Sequence, residues 1–223
     1  MSAAFSYPRI PHLVDGRGTA DDLVLGRRER EALLGVDLMV EEKLDGANVM
    51  VWVDDGILQC SGRAGPGSID RAGQFGALRA WTATNFDRLQ PLLAPGSVLY
   101  GEWLYLTHTV AYRDLPSWFV ALDLRGADGS YVDGQERREV LASTGLAAPP
   151  LLGTGRFDLD GLEELALRSK WSDGAAEGVV VRPVEPFDPD LRVAKLVRAG
   201  FERIADDEWR RGRGLNTVVP SSA

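Results

Sequence analysis

Apolar and polar positions alternate through residues 47–53, which read Ala-Asn-Val-Met-Val-Trp-Val. The three valines fall on one face of a predicted strand, and Met50 and Trp52 fall on the other. Asp55-Gly56 then supplies a tight turn into the apolar run 57–60. The pattern therefore predicts a β-hairpin.

Four further segments are rich in β-branched and aromatic residues and predict strands, at 98–105, 118–124, 177–183 and 192–197. Apolar residues at helical spacing predict helices over 27–34, 73–89, 135–142, 161–170 and 200–210. The strands come in consecutive groups without regular alternation with helices. This order favours an α+β domain with antiparallel sheets. Because the chain has no internal repeat and no low-complexity linker, we expect residues 1–223 to form a single domain without a separate C-terminal accessory domain.

The charge balance restricts the classes of partner. The formal net charge is −8 at pH 7, and the sequence pI is about 4.9. Broad affinity for nucleic acid comes from many Lys and Arg contacts to phosphates, so this composition argues against it while leaving a local basic groove open. The chain contains one cysteine and has no apolar run long enough to cross a bilayer. We therefore expect a cytoplasmic protein.

Several charged residues lie in strand-like, apolar surroundings, where burial is costly unless the charge is paired or bound to a ligand. They are Lys43, Asp45, Arg63, Glu102, Glu177, Arg182 and Lys195. Each one alone also fits a surface position on an exposed strand face. The phosphate-loop pattern GxxxxGK[ST] and the motifs HExxH and GxSxG are absent from the sequence.

Six short motifs occur in a fixed order along the chain. Lys43-Leu44-Asp45-Gly46 has the form KxDG, and Asn48 completes KxxGxN; the others are SGR at 61–63, YGEW at 100–103, FVALDL at 119–124, EGVVVRP at 177–183 and AKLVR at 194–198. In these motifs the chain resembles the covalent nucleotidyltransferase superfamily of ligases and capping enzymes, and most closely its ATP-dependent RNA ligase family. The resemblance implies an ATP-grasp-like nucleotidyltransferase adenylation domain with antiparallel sheets flanked by helices.

The resemblance also implies an activity. Lys43 would attack ATP to form lysyl-AMP, AMP would pass to a 5′-phosphate end, and a 3′-hydroxyl would displace AMP to seal the strand. A lysine amine is nucleophilic only when deprotonated, a state that desolvation or nearby cations favour. Arg182 and Lys195 are the predicted source of that positive field, and they would also neutralise the triphosphate.

The remaining site residues follow from the same motifs. Glu102 and Glu177 would hold Mg²⁺ or Mn²⁺, with Glu102 also on the ribose. Phe119 and Val180 would enclose the adenine, although on sequence alone Phe119 fits a core aromatic equally well. The other predicted nucleotide-binding residues are Glu42, Asp45, Asn48 and Arg63. Gly46 is expected to adopt a backbone conformation closed to residues with a side chain.

Three features depart from the family pattern: Val197 stands where a second lysine is common, the chain continues only briefly after Lys195, and the net charge is acidic. These features leave open whether a separate end-healing or clasp protein assists with RNA ends or nicks. Three alternatives also remain, namely a DNA ligase, a capping-type nucleotidyltransferase with the same lysine chemistry, and a catalytically reduced nucleotide-binding module.

Overall fold

The computed structural model describes residues 6–17, 22–63, 74–202 and 214–219. Within them the chain forms eight strands in two antiparallel four-stranded sheets, together with five α-helices. The strands are β1 (Leu38–Lys43), β2 (Ala47–Asp54), β3 (Ile57–Gly62), β4 (Val98–Trp103), β5 (Phe119–Arg125), β6 (Leu151–Gly155), β7 (Gly178–Pro183) and β8 (Ala194–Val197). The helices are α1 (Arg27–Leu34), α2 (Gln74–Thr84), α3 (Phe86–Leu89), α4 (Gly134–Ser143) and α5 (Leu159–Leu165). The predicted α+β class with antiparallel sheets is confirmed.

The first sheet has the strand order β6-β1-β7-β8. Its outer face packs against α1 and α5, and Leu38, Val40, Val179 and Val181 are buried there without solvent exposure. Because side chains alternate along a strand, the residues between these positions point to the opposite, inner face. Lys43 therefore reaches the inner face at the end of β1.

The second sheet has the order β3-β2-β4-β5 and carries α2, α3 and α4 on its outer face. Val49 and Val51 of β2 pack into that outer core, whereas Met50 belongs to a separate cluster on the inner face, with Trp52 packed against it. The predicted division of this strand into two faces is confirmed. The hairpin turn is also present, with φ of 46° at Asp55 and 76° at Gly56.

The inner faces of the two sheets meet through a buried ion pair. Arg182 of β7 places Nη2 3.0 Å from Asp123 Oδ2 of β5. Both side chains are at least nine-tenths buried. The inner faces therefore bound an interior polar region between the sheets, and it is here that most of the predicted site residues lie.

Two strands of the first sheet, β1 and β6, were not predicted. The helical prediction over 73–89 is divided, because α2 ends before Asn85, whose side chain donates a hydrogen bond to the Trp81 carbonyl, and α3 begins after it. The predicted helix 161–170 instead spans Leu159–Leu165, with Asp158 accepting a hydrogen bond from Gly161 N at its start. Most of the predicted helix 200–210 lies outside the described residues.

A segment near the N-terminus extends the first sheet. Leu13 N donates to the Lys195 carbonyl, and Lys195 N donates to the Pro11 carbonyl, so residues 11–13 lie alongside β8. In the described residues no helix has the length and apolar character that crossing a bilayer requires.

Candidate active site

Lys43 lies at the end of β1, where it meets a glutamate from a distant part of the sequence. Its Nζ donates a 2.6 Å hydrogen bond to Glu177 Oε2. The Lys43 side chain is 15% exposed and that of Glu177 only 1%. Strand pairing explains the contact, because Lys43 pairs with Gly178 across β1 and β7 and Glu177 directly precedes Gly178. The two residues are thus brought together by the register of the sheet.

Glu102 of β4 joins this pair from the opposite sheet, held by the loop that follows Lys43. Gly46 N donates a 3.1 Å hydrogen bond to Glu102 Oε1. A Cβ on Gly46 would stand 2.6 Å from Leu104 Cδ2 and 2.8 Å from the Trp103 carbonyl oxygen. Gly46 does not have a positive φ, so the expectation of a special backbone conformation is wrong. It is glycine because the β4 chain passes too close for any side chain.

Asp45 acts as the anchor of the same loop. Its Oδ2 accepts hydrogen bonds from Thr109 N at 2.6 Å and Val110 N at 2.8 Å, and its own N–H donates to the Tyr112 hydroxyl at 2.8 Å. Burial and the nearby charge of Glu177 raise the pKa of the Asp45 carboxyl. Asp45 is thus committed to protein contacts that fix the position of the Lys43 loop.

The cluster contains more acidic than basic groups. Burial raises the pKa of Glu102 to about 7, with Lys43 opposing the shift and the charges of Glu177 and Asp45 adding to it. The side chains nearest Lys43 are therefore carboxylates, from Glu177, Glu102 and Asp45. Crowded carboxylates of this kind suit a divalent cation, which would offset their mutual repulsion.

The donor set fits a metal that is shared with a substrate. Among the described residues no group of three or more His, Cys, Asp or Glu side chains is arranged to hold a metal ion. Two carboxylates, from Glu102 and Glu177, are available in the cluster. Mg²⁺ commonly takes one or two carboxylates and completes its coordination with substrate phosphates and water. The two glutamates match that pattern.

A row of polar side chains continues from Glu102 across the second sheet. Asn48 pairs with Glu102 between β2 and β4, and Arg63 is the exposed residue that follows β3. The Asn48 Oδ1 atom is buried and accepts no hydrogen bond from the described residues. Such an atom costs free energy unless a partner binds it. Asn48 is therefore available to a ligand between the sheets.

Val180 and Lys195 line the inner face of the first sheet beside Lys43. They pair with each other between β7 and β8, and Val180 is half-buried. Lys195 Nζ lies 3.4 Å from Asp22 Oδ1, a partner that the sequence did not suggest. The side chain of Lys195 is 15% exposed, so it is open to an anionic ligand.

Arg182 does not lie beside Lys43, and its predicted role there is corrected. It pairs with Met39 at the opposite end of the β1·β7 ladder from the Lys43 and Gly178 pair. It is 4% exposed and contacts Glu41 and Asp123, with Nε 3.4 Å from Glu41 Oε2. The guanidinium is therefore committed to contacts within the protein.

Asp123 is the centre of this buried network. It accepts a hydrogen bond from the Tyr7 hydroxyl and contacts both Arg182 and Arg192. Burial alone would raise the pKa of its carboxyl, but Arg182, Arg192 and Arg137 outweigh burial and lower the pKa to about 2. Sequence reasoning missed Asp123, Tyr7 and Glu41. Glu41, which Arg137 and Arg138 also contact, lies on β1, a strand that the sequence did not predict.

Glu42 and Phe119 also lie away from the cluster. Glu42 is buried and accepts hydrogen bonds from Ser169 Oγ at 2.6 Å and Lys170 N at 2.8 Å, so it holds that loop. Phe119 is completely buried on the helix side of the second sheet and stacks on Trp81 with 4.6 Å between ring centroids. This placement does not allow the predicted adenine contact, because the ring is enclosed by the core.

Comparison with known proteins identifies the family to which the chain belongs. The family model for RNA ligase matches residues 36–197, which is most of the chain. The chain therefore belongs to the RNA ligase family. A search of curated protein sequences finds no match.

Solved structures share the fold at low sequence identity. A Naegleria gruberi RNA ligase with PPi has a TM-score of 0.57 and 18% identity, covering 75% of this chain and 51% of that one. A point mutant of a Naegleria gruberi RNA ligase with ATP and Mn has a TM-score of 0.58 and 16% identity, covering 89% and 57%. An archaeal ATP-dependent RNA ligase has a TM-score of 0.50 and 20% identity, covering 86% and 48%. The chain thus spans about half the length of these proteins.

Proposed function

We propose that this protein is an ATP-dependent RNA ligase that works through a covalent lysyl-AMP intermediate on Lys43. The observation that carries the proposal is the Lys43 and Glu177 pair, joined at 2.6 Å between the two sheets with Glu102 and Asp45 beside it. A largely buried amine next to several carboxylates suits nucleophilic attack on a phosphate that arrives with a divalent cation. Membership of the RNA ligase family supports this interpretation.

The first step joins Lys43 to AMP. The Lys43 ammonium releases a proton to solvent, its nitrogen bonds to the α-phosphorus of ATP, and the bond from that phosphorus to the departing pyrophosphate breaks. Glu177 already accepts a hydrogen bond from this ammonium and is positioned to orient it. Lys195 faces the same region and is suited to contact the phosphates. The buried Asn48 Oδ1 is an acceptor and is suited to a donor on the nucleotide, such as a ribose hydroxyl.

The metal would be held by Glu102 and Glu177. A divalent cation supplies charge neutralisation of the triphosphate and of the pyrophosphate that leaves. Neighbouring solved structures contain ATP and Mn, which supports the use of a nucleotide and a divalent metal, Mg²⁺ or Mn²⁺. Val180, half-buried on the inner face, is suited to contact the base.

The second and third steps use nucleic acid. An oxygen of a 5′-phosphate bonds to the AMP phosphorus while the phosphorus–nitrogen bond to Lys43 breaks and the amine is restored. A 3′-hydroxyl then releases its proton to solvent, its oxygen bonds to the 5′-phosphate phosphorus, and the bond from that phosphorus to the oxygen of AMP breaks. The substrate is proposed to be an RNA end or nick, and a separate end-healing or clasp protein is compatible with the proposal.

The test is labelling with [α-³²P]ATP in the presence of Mg²⁺ or Mn²⁺. The chain has three lysines, Lys43, Lys170 and Lys195, which makes the assignment of the label direct. We expect wild-type protein and Lys170→Ala, in which an exposed lysine is removed, to acquire an acid-labile label, whereas Lys43→Ala and protein treated with EDTA do not. Label on Lys43→Ala, or none on wild type, would contradict the proposal.

Assays with other substrates distinguish the ATP-dependent RNA ligase from the alternative functions. GTP in place of ATP tests a capping-type reaction, and RNA and DNA strands with defined 5′-phosphate and 3′-hydroxyl ends test the choice of polymer. We expect labelling by ATP and sealing of RNA. ATP binding without release of pyrophosphate would instead identify a catalytically reduced module.

A further inference from the structure

A pocket of about 360 Å³ lies beside the Lys43 cluster. We name it the Arg198 pocket, and its lining includes Thr109, Ser172, Arg198, Phe201 and Glu202. The volume falls in the range of about 300–1,000 Å³ that small-molecule sites occupy. None of the roles assigned above to the Lys43 cluster uses this pocket.

Strand register places the pocket immediately beyond the reactive lysine. Lys43 pairs with Gly178, and Gly178 pairs with Val197, so the three residues form one row across the first sheet. Arg198 is the next residue along the chain, and its N–H donates to the Glu177 carbonyl at 2.9 Å. The pair of Val180 and Lys195 lies on the other side of that row. The pocket is therefore at the opposite side of Lys43 from the proposed base contact.

The second wall of the pocket is tied to the loop that follows Lys43. The N–H groups of Thr109 and Val110 donate to Asp45 Oδ2, at 2.6 and 2.8 Å. Arg198 and Thr109 are thus each one hydrogen bond from a residue of the Lys43 cluster. A ligand held in the pocket has its position fixed relative to the site of chemistry.

Arg198 gives the pocket an anion-binding group in a preset orientation. Its Nε donates to the Ala176 carbonyl and its Nη1 to the Ala199 carbonyl, both at 3.2 Å. A guanidinium has five N–H donors, so further donors remain for a ligand. The side chain is half-buried and forms no ion pair with a carboxylate in the part of the chain that the structure describes. An arginine of this kind is suited to bind phosphate.

The other lining groups favour a nucleotide over a bare phosphate. Thr109 and Ser172 contribute hydroxyl-bearing side chains, and the Phe201 ring lies 5.8 Å from the Arg198 guanidinium carbon. Aromatic rings next to basic side chains bind single-stranded nucleic acid by stacking on its bases. Glu202 is an exposed acid at the same pocket, and its charge opposes an anionic ligand.

We propose that the Arg198 pocket binds the 5′-phosphorylated terminal nucleotide of the RNA, with Arg198 on the phosphate and Phe201 against the base. This inference rests on the proposed ligase function. The pocket then presents the phosphate oxygen that receives AMP from Lys43. Pyrophosphate leaving from ATP has the same anionic chemistry, and the test separates the two sources.

The experiment divides the reaction at lysyl-AMP. The whole chain is first labelled with ATP, freed of nucleotide, and then mixed with a short 5′-phosphorylated oligoribonucleotide while the loss of label is followed. We expect Arg198→Ala to raise the RNA concentration for half-maximal transfer about ten-fold, and Arg198→Lys to raise it less. In both Arg198 variants the rate of lysyl-AMP formation should fall less than the efficiency of AMP transfer to RNA. Arg156→Ala is the matched control. Arg156 directly follows β6, at the edge of the first sheet, and its side chain is 67% exposed.

Glu202→Gln is expected to improve AMP transfer, the opposite of the effect of Arg198→Ala. Removing an exposed negative charge from the pocket should improve transfer at low ionic strength, with the gain lost as salt is added. A merely structural role for this segment would not produce a gain. Phe201→Leu should also raise the RNA concentration for half-maximal transfer, because the base loses its stacking surface. Arg198 is unchanged in this variant, so its contact with the phosphate remains.

The outcomes distinguish this inference from the proposed function. If wild-type protein transfers AMP and both Arg198→Ala and Glu202→Gln match it, the pocket assignment is wrong and the ligase function stands. If Arg198→Ala slows lysyl-AMP formation and leaves transfer intact, the pocket holds pyrophosphate and the assignment is again wrong. If wild-type protein forms no lysyl-AMP, the proposed function fails, and the pocket assignment fails with it.

Discussion

Glu177 accepts a 2.6 Å hydrogen bond from the Lys43 ammonium although 134 positions separate the two residues. The contact exists because β1 and β7 pair in a register that sets Lys43 opposite Gly178. A Cβ at Gly178 would overlap the Leu196 carbonyl of β8, so only glycine allows β7 and β8 to approach this closely. The pairing of Lys43 with Glu177 therefore depends on how three strands fit together.

We expect Glu177→Gln to slow lysyl-AMP formation by at least about ten-fold while the protein stays folded. Glutamine keeps the size of the side chain and an acceptor oxygen, but it loses the charge that orients the ammonium and binds a cation. A time course of labelling by ATP measures the effect. Glu164→Gln, at an exposed position on α5, is the control, and an equal rate for the two variants would remove Glu177 from the mechanism.

Gly46→Ala should lower the free energy of unfolding by about 1–3 kcal/mol, because the new Cβ meets Leu104 Cδ2 at 2.6 Å and the Trp103 carbonyl at 2.8 Å. Labelling of Lys43 should fall as well, since the loop that carries Lys43 must shift. Urea unfolding and the labelling assay give the two values. At Gly174 an added Cβ has only Ser172 Oγ within 4 Å, at 4.0 Å, so Gly174→Ala should leave stability unchanged.

Asp123→Asn should destabilise the protein by about 3–5 kcal/mol at pH 7, because Arg182 and Arg192 lose their buried counter-charge. The pKa of Asp123 is lowered to about 2, so its ionised form stabilises the fold above the pKa of the unfolded chain, about 3.9. That contribution is lost as pH falls from about 4 to about 2. Urea unfolding across this range should show the stability difference between wild type and Asp123→Asn becoming smaller; a constant difference would contradict the assignment.

Phe119→Leu should cost about 1–3 kcal/mol of stability without weakening ATP binding, since the ring belongs to the core and stacks on Trp81. Val180→Ala should cost little stability but weaken ATP binding, because Val180 is proposed to contact the base. The ATP concentration for half-maximal labelling should rise about five-fold. The comparison uses thermal unfolding and labelling of both variants. Weaker ATP binding by Phe119→Leu alone would restore the adenine contact to Phe119.

The sequence predicted the second sheet better than the first. Residues 47–53 alternate because one face of β2 packs into a continuous core, and Asp55-Gly56 has the chemistry of the hairpin turn. Strand β1 carries no such signal, because Glu41 and Glu42 are adjacent, both buried and directed to opposite faces. Their partners come from α4 and from the loop at Ser169, which no local pattern indicates.

The same limit applies to the candidate site. The order of motifs along the chain pointed to Lys43, Glu102 and Glu177, which the structure brings together. It also pointed to Arg182, yet β7 extends far enough that Arg182 lies beyond the reach of Lys43. Asp22 reaches Lys195 only because residues 11–13 lie alongside β8. Distances along a strand and pairings between segments decide these contacts, and the identity of a residue predicts neither.

The ionic network of Arg182, Asp123 and Glu41 has a mechanical consequence. It fastens the first sheet to the second at the end remote from Lys43, in a setting where separating the charges is costly. At the Lys43 end the two sheets are joined by residues 44–46 between β1 and β2 and by the hydrogen bond from Gly46 N to Glu102 Oε1, so the sheets are held together at both ends. Amides flanking Asp123 should accordingly exchange with deuterium later than those of the exposed turn at Asp55-Gly56.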